Sequence, residues 1–319
     1  MKSNSPYRLI ELFTLILLLG FSMNLSAHAD GNEVIVSTKW LSAHLNDPDL
    51  VILEIGEKGK FENEHIPGAR FISLEMISTP RGSGLSLEIP SLSKLDSTFQ
   101  NLGVNQNSKV VLYYGLDWVS PTTRVFFTLD YLGFRNRTSI LDGGLPAWKQ
   151  DGFKTTSEIT VIKPGNFHGK PMDGFVVKAD WLKENLNSPH VVVVDGRETE
   201  LYTGEDNTWT KPDGTVITFY DRPGHITGAI SIPFTEFTTD SIPHYFKPQK
   251  ELESIFTENG ISKDQYVINY CMVGQKATVN FFVAKLLGYK TSLYDGSYQE
   301  WDKRKDLPVT GPVNRDQKK

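Results

Sequence analysis

The chain has 319 residues, 39% of them hydrophobic and 22% charged, an ordinary globular usage that excludes a collagen, a coiled coil or a wholly disordered polymer. At roughly 150 residues per domain, this length predicts about two domains. The formal charge of −5, from 33 Lys+Arg against 38 Asp+Glu, gives no concentrated basic face for nucleic acid.

Cys271 is the one cysteine. Alone, it can close no internal disulfide and no cysteine-based zinc or iron–sulfur centre.

At the N-terminus, Lys2 and Arg8 precede an apolar run over 12–21, and Ala27-His28-Ala29 follows. A basic start, a short apolar stretch and a small-x-small site are the layout of a secretory signal peptide. The run is shorter than the about 20 residues that a membrane span needs. We expect a leader over 1–29, cleaved after Ala29, and an exported protein with no stable membrane anchor. It would be periplasmic in a Gram-negative bacterium and secreted otherwise.

Two stretches then repeat. An apolar strand over 51–55 is followed by Glu64-His65-Ile66-Pro67-Gly68-Ala69. A second over 191–195 is followed by Gly224-His225-Ile226-Thr227-Gly228-Ala229. Each copy continues with another apolar strand, over 110–114 and 266–270, then a loop and a helix ending at Leu132-Gly133-Phe134 or Leu287-Gly288-Tyr289. Glycine there suits a left-handed C-cap. Each copy closes on Asp-Gly-x4-Trp, at Asp142-Gly143 to Trp148 and Asp295-Gly296 to Trp301. The strands are near-continuous apolar runs that alternate with helical stretches, which predicts parallel sheets covered on both faces. The fold class is therefore α/β, two tandem copies of one domain, each a mainly parallel sheet flanked by helices. We place the first at 30–150, a linker at 151–174, the second at 175–310 and a tail at 311–319. The polar stretch over 202–222 is long for a connector and is expected to be a surface excursion near the mouth of a pocket.

The chemistry points to one loop. Cys271 opens the loop Cys271-Met272-Val273-Gly274-Gln275-Lys276 between a strand and a helix beginning at Ala277. In open α/β sheets, ligands bind beyond the carboxyl ends of strands. The free N–H groups of a helix start, in a loop curled as an anion-binding nest, favour a thiolate. Gly274 would permit the tight turn, and Lys276 adds a cation. Position alone leaves open whether Cys271 is a nucleophile or a buried structural thiol.

These motifs carry a resemblance. Gly-His-Ile-x-Gly-Ala, the Cys-x3-Gly-x2-Ala loop and the Asp-Gly-x4-Trp closers make the chain similar to the tandem-domain rhodaneses, the thiosulfate and 3-mercaptopyruvate sulfurtransferases. The resemblance implies that the second domain is catalytic and that the first has lost its cysteine, as fits the loop around Gly115-Leu116-Asp117-Trp118. It implies a persulfide on Cys271, held by the backbone of Met272, Val273, Gly274, Gln275, Lys276 and Ala277. The sulfur would come from a small anionic donor and pass to cyanide or a thiol, without a cofactor or metal. It also implies that Arg197, in Asp195-Gly196-Arg197, binds the donor, with Lys276 as a second cation. Trp118 either walls the pocket or packs the domain interface. Met272 and Val273 match neither the basic pair of animal thiosulfate enzymes nor the Gly-Ser of mercaptopyruvate enzymes. We expect thiosulfate as donor, with 3-mercaptopyruvate, or a non-enzymatic persulfide carrier or binding module, as alternatives.

Competing chemistries lack their residues. A cysteine phosphatase needs Cys-x5-Arg, and Ala277 stands at that arginine position. No two histidines make a His-x3-His or His-Glu-x2-His pair. His65 and His225 occur in both copies and are expected to be structural, and Asp142 and Asp295 read as turn or cap residues.

Overall fold

A computed structural model of the chain describes residues 33–80, 82, 84–115 and 118–312. The expected leader lies outside the described residues. Among those residues no helix is long and apolar enough to cross a membrane.

The first half runs β1 (Ile35–Val36), α1 (Thr38–His44), β2 (Leu50–Ile55), α2 (Lys58–Asn63), β3 (Ala69–Ile72), α3 (Leu92–Asn101), β4 (Lys109–Tyr114), α4 (Ser120–Tyr131), β5 (Thr138–Leu141) and α5 (Gly144–Gln150). The second half opens with β6 (Val176–Val177), α6 (Ala179–Asn185), β7 (Val191–Asp195), α7 (Thr199–Thr203), β8 (Thr208–Thr210), β9 (Val216–Thr218), β10 (His225–Ile226) and β11 (Ile230–Ser231). It continues with α8 (Gln249–Glu258), β12 (Tyr266–Tyr270), α9 (Ala277–Leu286), β13 (Lys290–Tyr294), α10 (Ser297–Lys303) and β14 (Val309–Thr310).

Each half builds one five-stranded sheet. The orders are β1-β5-β4-β2-β3 and β6-β13-β12-β7-β11, and every pairing within them is parallel. The two orders are the same once the halves are overlaid. The central strands bury both faces, as the apolar runs require: all of β4 except Lys109 is buried, and so is β12 except its first residue.

The repeat's fixed points brace the two sheets in the same way. Ile66 donates its N–H to the Tyr113 hydroxyl and Ile226 to that of Tyr270, both at 3.1 Å. His65 stacks on Phe61 and lies 2.6 Å from its carbonyl oxygen through Nδ1. His225 does the same with Tyr202, at 2.8 Å. Both are braces in a turn. Trp148 and Trp301 donate from their indole N–H groups to Lys154 and Pro308 carbonyls, so each closer folds the chain back under its own helix.

The halves meet along α4 and α9. Phe126 is edge-on to Phe282 at 4.9 Å and Phe127 to Phe281 at 4.8 Å, contacts of about 0.5–1.5 kcal/mol each beyond burial. The Thr123 and Thr278 hydroxyls are 2.8 Å apart beside them. One apolar core runs through this seam, joining Val125 and Phe126 to Val279 and Phe282. The linker is bound along the first half. Gly165, Phe167, Lys170 and Met172 donate to the carbonyls of Gln100, Val104, Leu132 and Tyr131, and Phe167 sits fully buried between Phe99 and Phe134. The excursion forms the hairpin β8–β9, with Trp209 and Val216 exposed at its strands.

Candidate active site

Cys271 follows the last residue of β12 and is fully buried as a free thiol. Gly274 takes the left-handed conformation that the tight turn needs, φ 78°, and Ala277 begins α9. The hydrogen bonds of the loop are one-sided. Its carbonyls point away and are engaged: Cys271 and Met272 accept from the Tyr298 and Gln299 N–H groups at 3.0 and 3.1 Å. Gly274 accepts from Arg124 and Gln275 from Thr278. The N–H groups of Met272 through Ala277 donate to no described residue. A row of free N–H groups at the start of a ten-residue helix is an anion-binding concavity.

The loop is held from both halves. Ser297 accepts the Cys271 N–H at 3.3 Å and donates to the Tyr294 carbonyl. To do so it adopts φ 53°, a left-handed backbone uncommon for a non-glycine residue. Arg124, on α4 of the first half, is fully buried. Its Nη1 donates to Gly274 O at 3.0 Å and to Asp295 Oδ1 at 2.7 Å. Asp295 also accepts the Ile89 N–H, while Asp142 accepts that of Phe246. Both aspartates stand at turns, as read from the sequence, and in addition staple the two halves together. Gln275 donates across the seam to Ser120.

The two predicted donor-binding cations are both already paired. Arg197 is fully buried, chelated by both Asp195 oxygens and bonded to Gly224 O. The Tyr298 ring packs 4.1 Å from its guanidinium. A charge this enclosed is a brace for the strand ends, and only its Nη1 has no partner. Donor binding by Arg197 stays an expectation, with Nη1 as the atom left to make it. Lys276 donates to Glu198 and lies 5.1 and 5.9 Å from the centres of the Phe234 and Trp118 rings. It clamps the loop's end to the start of α7 instead of offering a free charge.

Trp118, 42% exposed, lines a cavity of about 360 Å³ with Val119, Phe234, Thr235, Thr238 and His244. Met272 is part-buried against the aromatic core of the second half, and Val273 is also part-buried. Among the described residues no group of His, Cys, Asp or Glu could hold a metal ion.

The hydroxyl braces fix the register between the halves. Tyr113 matches Tyr270, so Tyr114 occupies the position of Cys271, one residue before the loop proposed from sequence. Tyr114 donates to His244 O in the second half. Beside Tyr113, the Glu54 carboxyl accepts its hydroxyl hydrogen. Burial raises the Glu54 pKa to about 7, against the lowering effect of the tyrosine. Sequence reasoning missed Arg124, Ser297 and Tyr114; the signal for the last two was the repeat itself.

The chain matches the family of the rhodanese-like domain twice, over 37–151 and 178–304. It is 32% identical over 283 residues to a Pseudomonas aeruginosa protein named "Probable 3-mercaptopyruvate sulfurtransferase", covering 84% of this chain and 94% of that one. It is 29% identical over 286 residues to the thiosulfate sulfurtransferase of Rattus norvegicus, covering 85% and 93%. The crystal structure of the 3-mercaptopyruvate sulfurtransferase SseA from Escherichia coli overlays with a TM-score of 0.72 at 26% identity, covering 83% of this chain and 99% of that one. With both halves matched and the sheet order repeated, the chain belongs to the rhodanese family, with two rhodanese-like domains in tandem.

Proposed function

We propose that this chain transfers sulfur through a persulfide on Cys271, with thiosulfate as donor and cyanide or a thiol as acceptor. It is an enzyme, a sulfurtransferase of the rhodanese type. The observation that carries the Cys271 reading is the one-sided hydrogen bonding of the loop. The free N–H groups of Met272 through Ala277, in the loop that Cys271 opens, would stabilise a sulfur anion without reorganisation.

The chemistry is a double displacement. The Cys271 thiolate attacks the outer sulfur of thiosulfate; an S–S bond forms and the S–S bond of the donor breaks, and sulfite leaves with its electron pair. The acceptor then attacks the outer sulfur of the persulfide, and the Cys271 thiolate is restored. A second donor, 3-mercaptopyruvate, is favoured by one feature. The cavity lined by Trp118 and Phe234, whose rings Lys276 approaches, offers Thr235, Thr238 and His244, which suit one carboxylate and a keto group better than a dianion, while Lys276 is committed to Glu198. With that donor a C–S bond breaks and pyruvate leaves as its enolate, to be protonated. Incubation with each donor in turn, followed by intact mass, decides: a gain of about 32 Da, absent in Cys271→Ser, supports the persulfide, and the faster donor is the substrate. No gain with either would overturn the reading in favour of a binding module.

The leader over 1–29 supports export. Expression in a Gram-negative host should yield a periplasmic protein whose N-terminal sequence begins at Asp30; one retaining Met1 would count against it.

A further inference from the structure

The two cations expected to bind the donor are matched one for one by acids. Asp195 chelates Arg197, and Glu198 accepts from the Lys276 ammonium. These four side chains carry no net charge, where a reaction on anionic donors would gain from a surplus cation. Glu198 is the N-cap residue of α7, yet it makes no capping hydrogen bond. Its side chain reaches instead to the end of the loop that Cys271 opens. The pair is partly exposed, 21% for the Lys276 side chain and 41% for that of Glu198, and such a pair adds little to stability. The second Glu198 oxygen is buried without a hydrogen-bond partner among the described residues, so the carboxylate is offset at one oxygen alone.

The pair also borders a cavity. The Lys276 ammonium lies 5.1 Å from the centre of the Phe234 ring and 5.9 Å from that of Trp118. Those two rings, 6.2 Å apart, line the cavity of about 360 Å³. An ammonium has three N–H donors, and Glu198 takes one of them. The Glu198 carboxylate, one hydrogen bond beyond the ammonium, therefore subtracts from the positive charge that an anion in the cavity meets. The subtraction grows in proportion to the charge of that anion.

We propose that Glu198 is a specificity-determining residue: its carboxylate, held on Lys276 at the edge of the Trp118–Phe234 cavity, biases the enzyme against doubly charged sulfur donors and toward singly charged ones. The inference rests on the proposed function, in which the donor enters this cavity and loads Cys271. It sets thiosulfate, a dianion, against 3-mercaptopyruvate, a monoanion. The bias is on rate: thiosulfate still loads the enzyme, more slowly than Lys276 without its acid would allow. No bond to Glu198 forms or breaks in either displacement.

The test compares two variants of the full mature chain. Glu198→Gln keeps the shape and an acceptor oxygen for Lys276 and removes the charge, whereas Glu198→Asp keeps the charge. The rate constant for sulfur loading from each donor is followed by intact mass. In Glu198→Gln, loading from 3-mercaptopyruvate should rise about threefold and loading from thiosulfate by about the square of that, because the electrostatic energy doubles with the donor's charge. The ratio of thiosulfate to 3-mercaptopyruvate rates should thus rise about threefold. Glu198→Asp should keep the wild-type ratio. A Glu198 that only holds the loop would lower both rates together in Glu198→Gln and leave the ratio unchanged. That outcome, or a ratio raised equally in Glu198→Asp, would overturn the assignment and leave Cys271 in place as the nucleophile. A wild-type chain that gains no sulfur from either donor, or a Cys271→Ser chain that does, would overturn the persulfide reading and this inference with it.

Discussion

The two halves share strand order, histidine brace and tryptophan closer, yet differ at four matched positions. Asp195, Arg197, Cys271 and Ser297 in the second half face Glu54, Gly56, Tyr114 and Gly144 in the first. Strand register fixes two of these matches, since Asp195 pairs with Tyr270 and Glu54 with Tyr113. Gly144 and Ser297 share the left-handed backbone, φ 56° and 53°. The carboxylates show how one methylene redirects a site. Asp195 is short and turns to Arg197. Glu54 reaches Tyr113 and crowds the chain beyond β4, so that a Cβ on Gly115 would meet its Oε1 at 2.1 Å. The scaffold is thus indifferent to the chemistry, which sits in a few side chains at the strand ends.

The largest test of that contrast is chemical. Cys271→Ser should lower sulfur transfer at least about 1000-fold, with little change in thermal midpoint. Adding Tyr114→Cys to it should restore nothing, because the Glu54 carboxyl occupies the matching space; recovered transfer in that double variant would break the comparison. Next is the brace that the first half lends the second. Arg124→Met leaves Asp295 buried without its cation and frees the Gly274 carbonyl, and should cost about 3–5 kcal/mol in chemical unfolding and lower kcat. Stability unchanged within about 1 kcal/mol would mean that the loop is held without the first half.

A smaller effect separates the carboxylates. The fold favours protonated Glu54, so its contribution is present below its ordinary pKa of 4.5 and is lost as pH rises through about 7. At about 1.4 kcal/mol per pKa unit, full development would be about 3 kcal/mol. Unfolding free energies at pH 5 and pH 8 should therefore differ less in Glu54→Gln than in wild type. Asp142, raised to about 6 by burial, leaves a residual slope of the same sign. The smallest test concerns Ser297. Ser297→Ala loses the acceptor for the Cys271 N–H and keeps the left-handed backbone, for about 1–2 kcal/mol. Ser297→Gly relieves that backbone and should cost less; equal losses would show that conformation matters little there.

Strands, closers and the cysteine loop were legible because they are local: apolar runs, glycine turns and a thiol at a strand end lie within a few residues of one another. The partners of the charges were harder. Asp195 ends β7 and Arg197 follows two residues later, beyond the strand, where no local pattern shows that the two pair with each other. Arg124 sits in a helix buried on nearly every side, where nothing local tells an interdomain brace from a surface charge. Asp142 and Asp295 do stand at turns, but their acceptors are satisfied by residues more than 100 positions away, and that distance is invisible to a local pattern.

The seam along α4 and α9 also constrains the history of the chain. A gene fragment encoding the second half alone would turn Phe281 and Phe282 out to water and leave the Gly274 carbonyl without Arg124. The first copy carries Tyr114 where the second carries Cys271, and its removal would take with it the Arg124 brace on the Gly274 carbonyl.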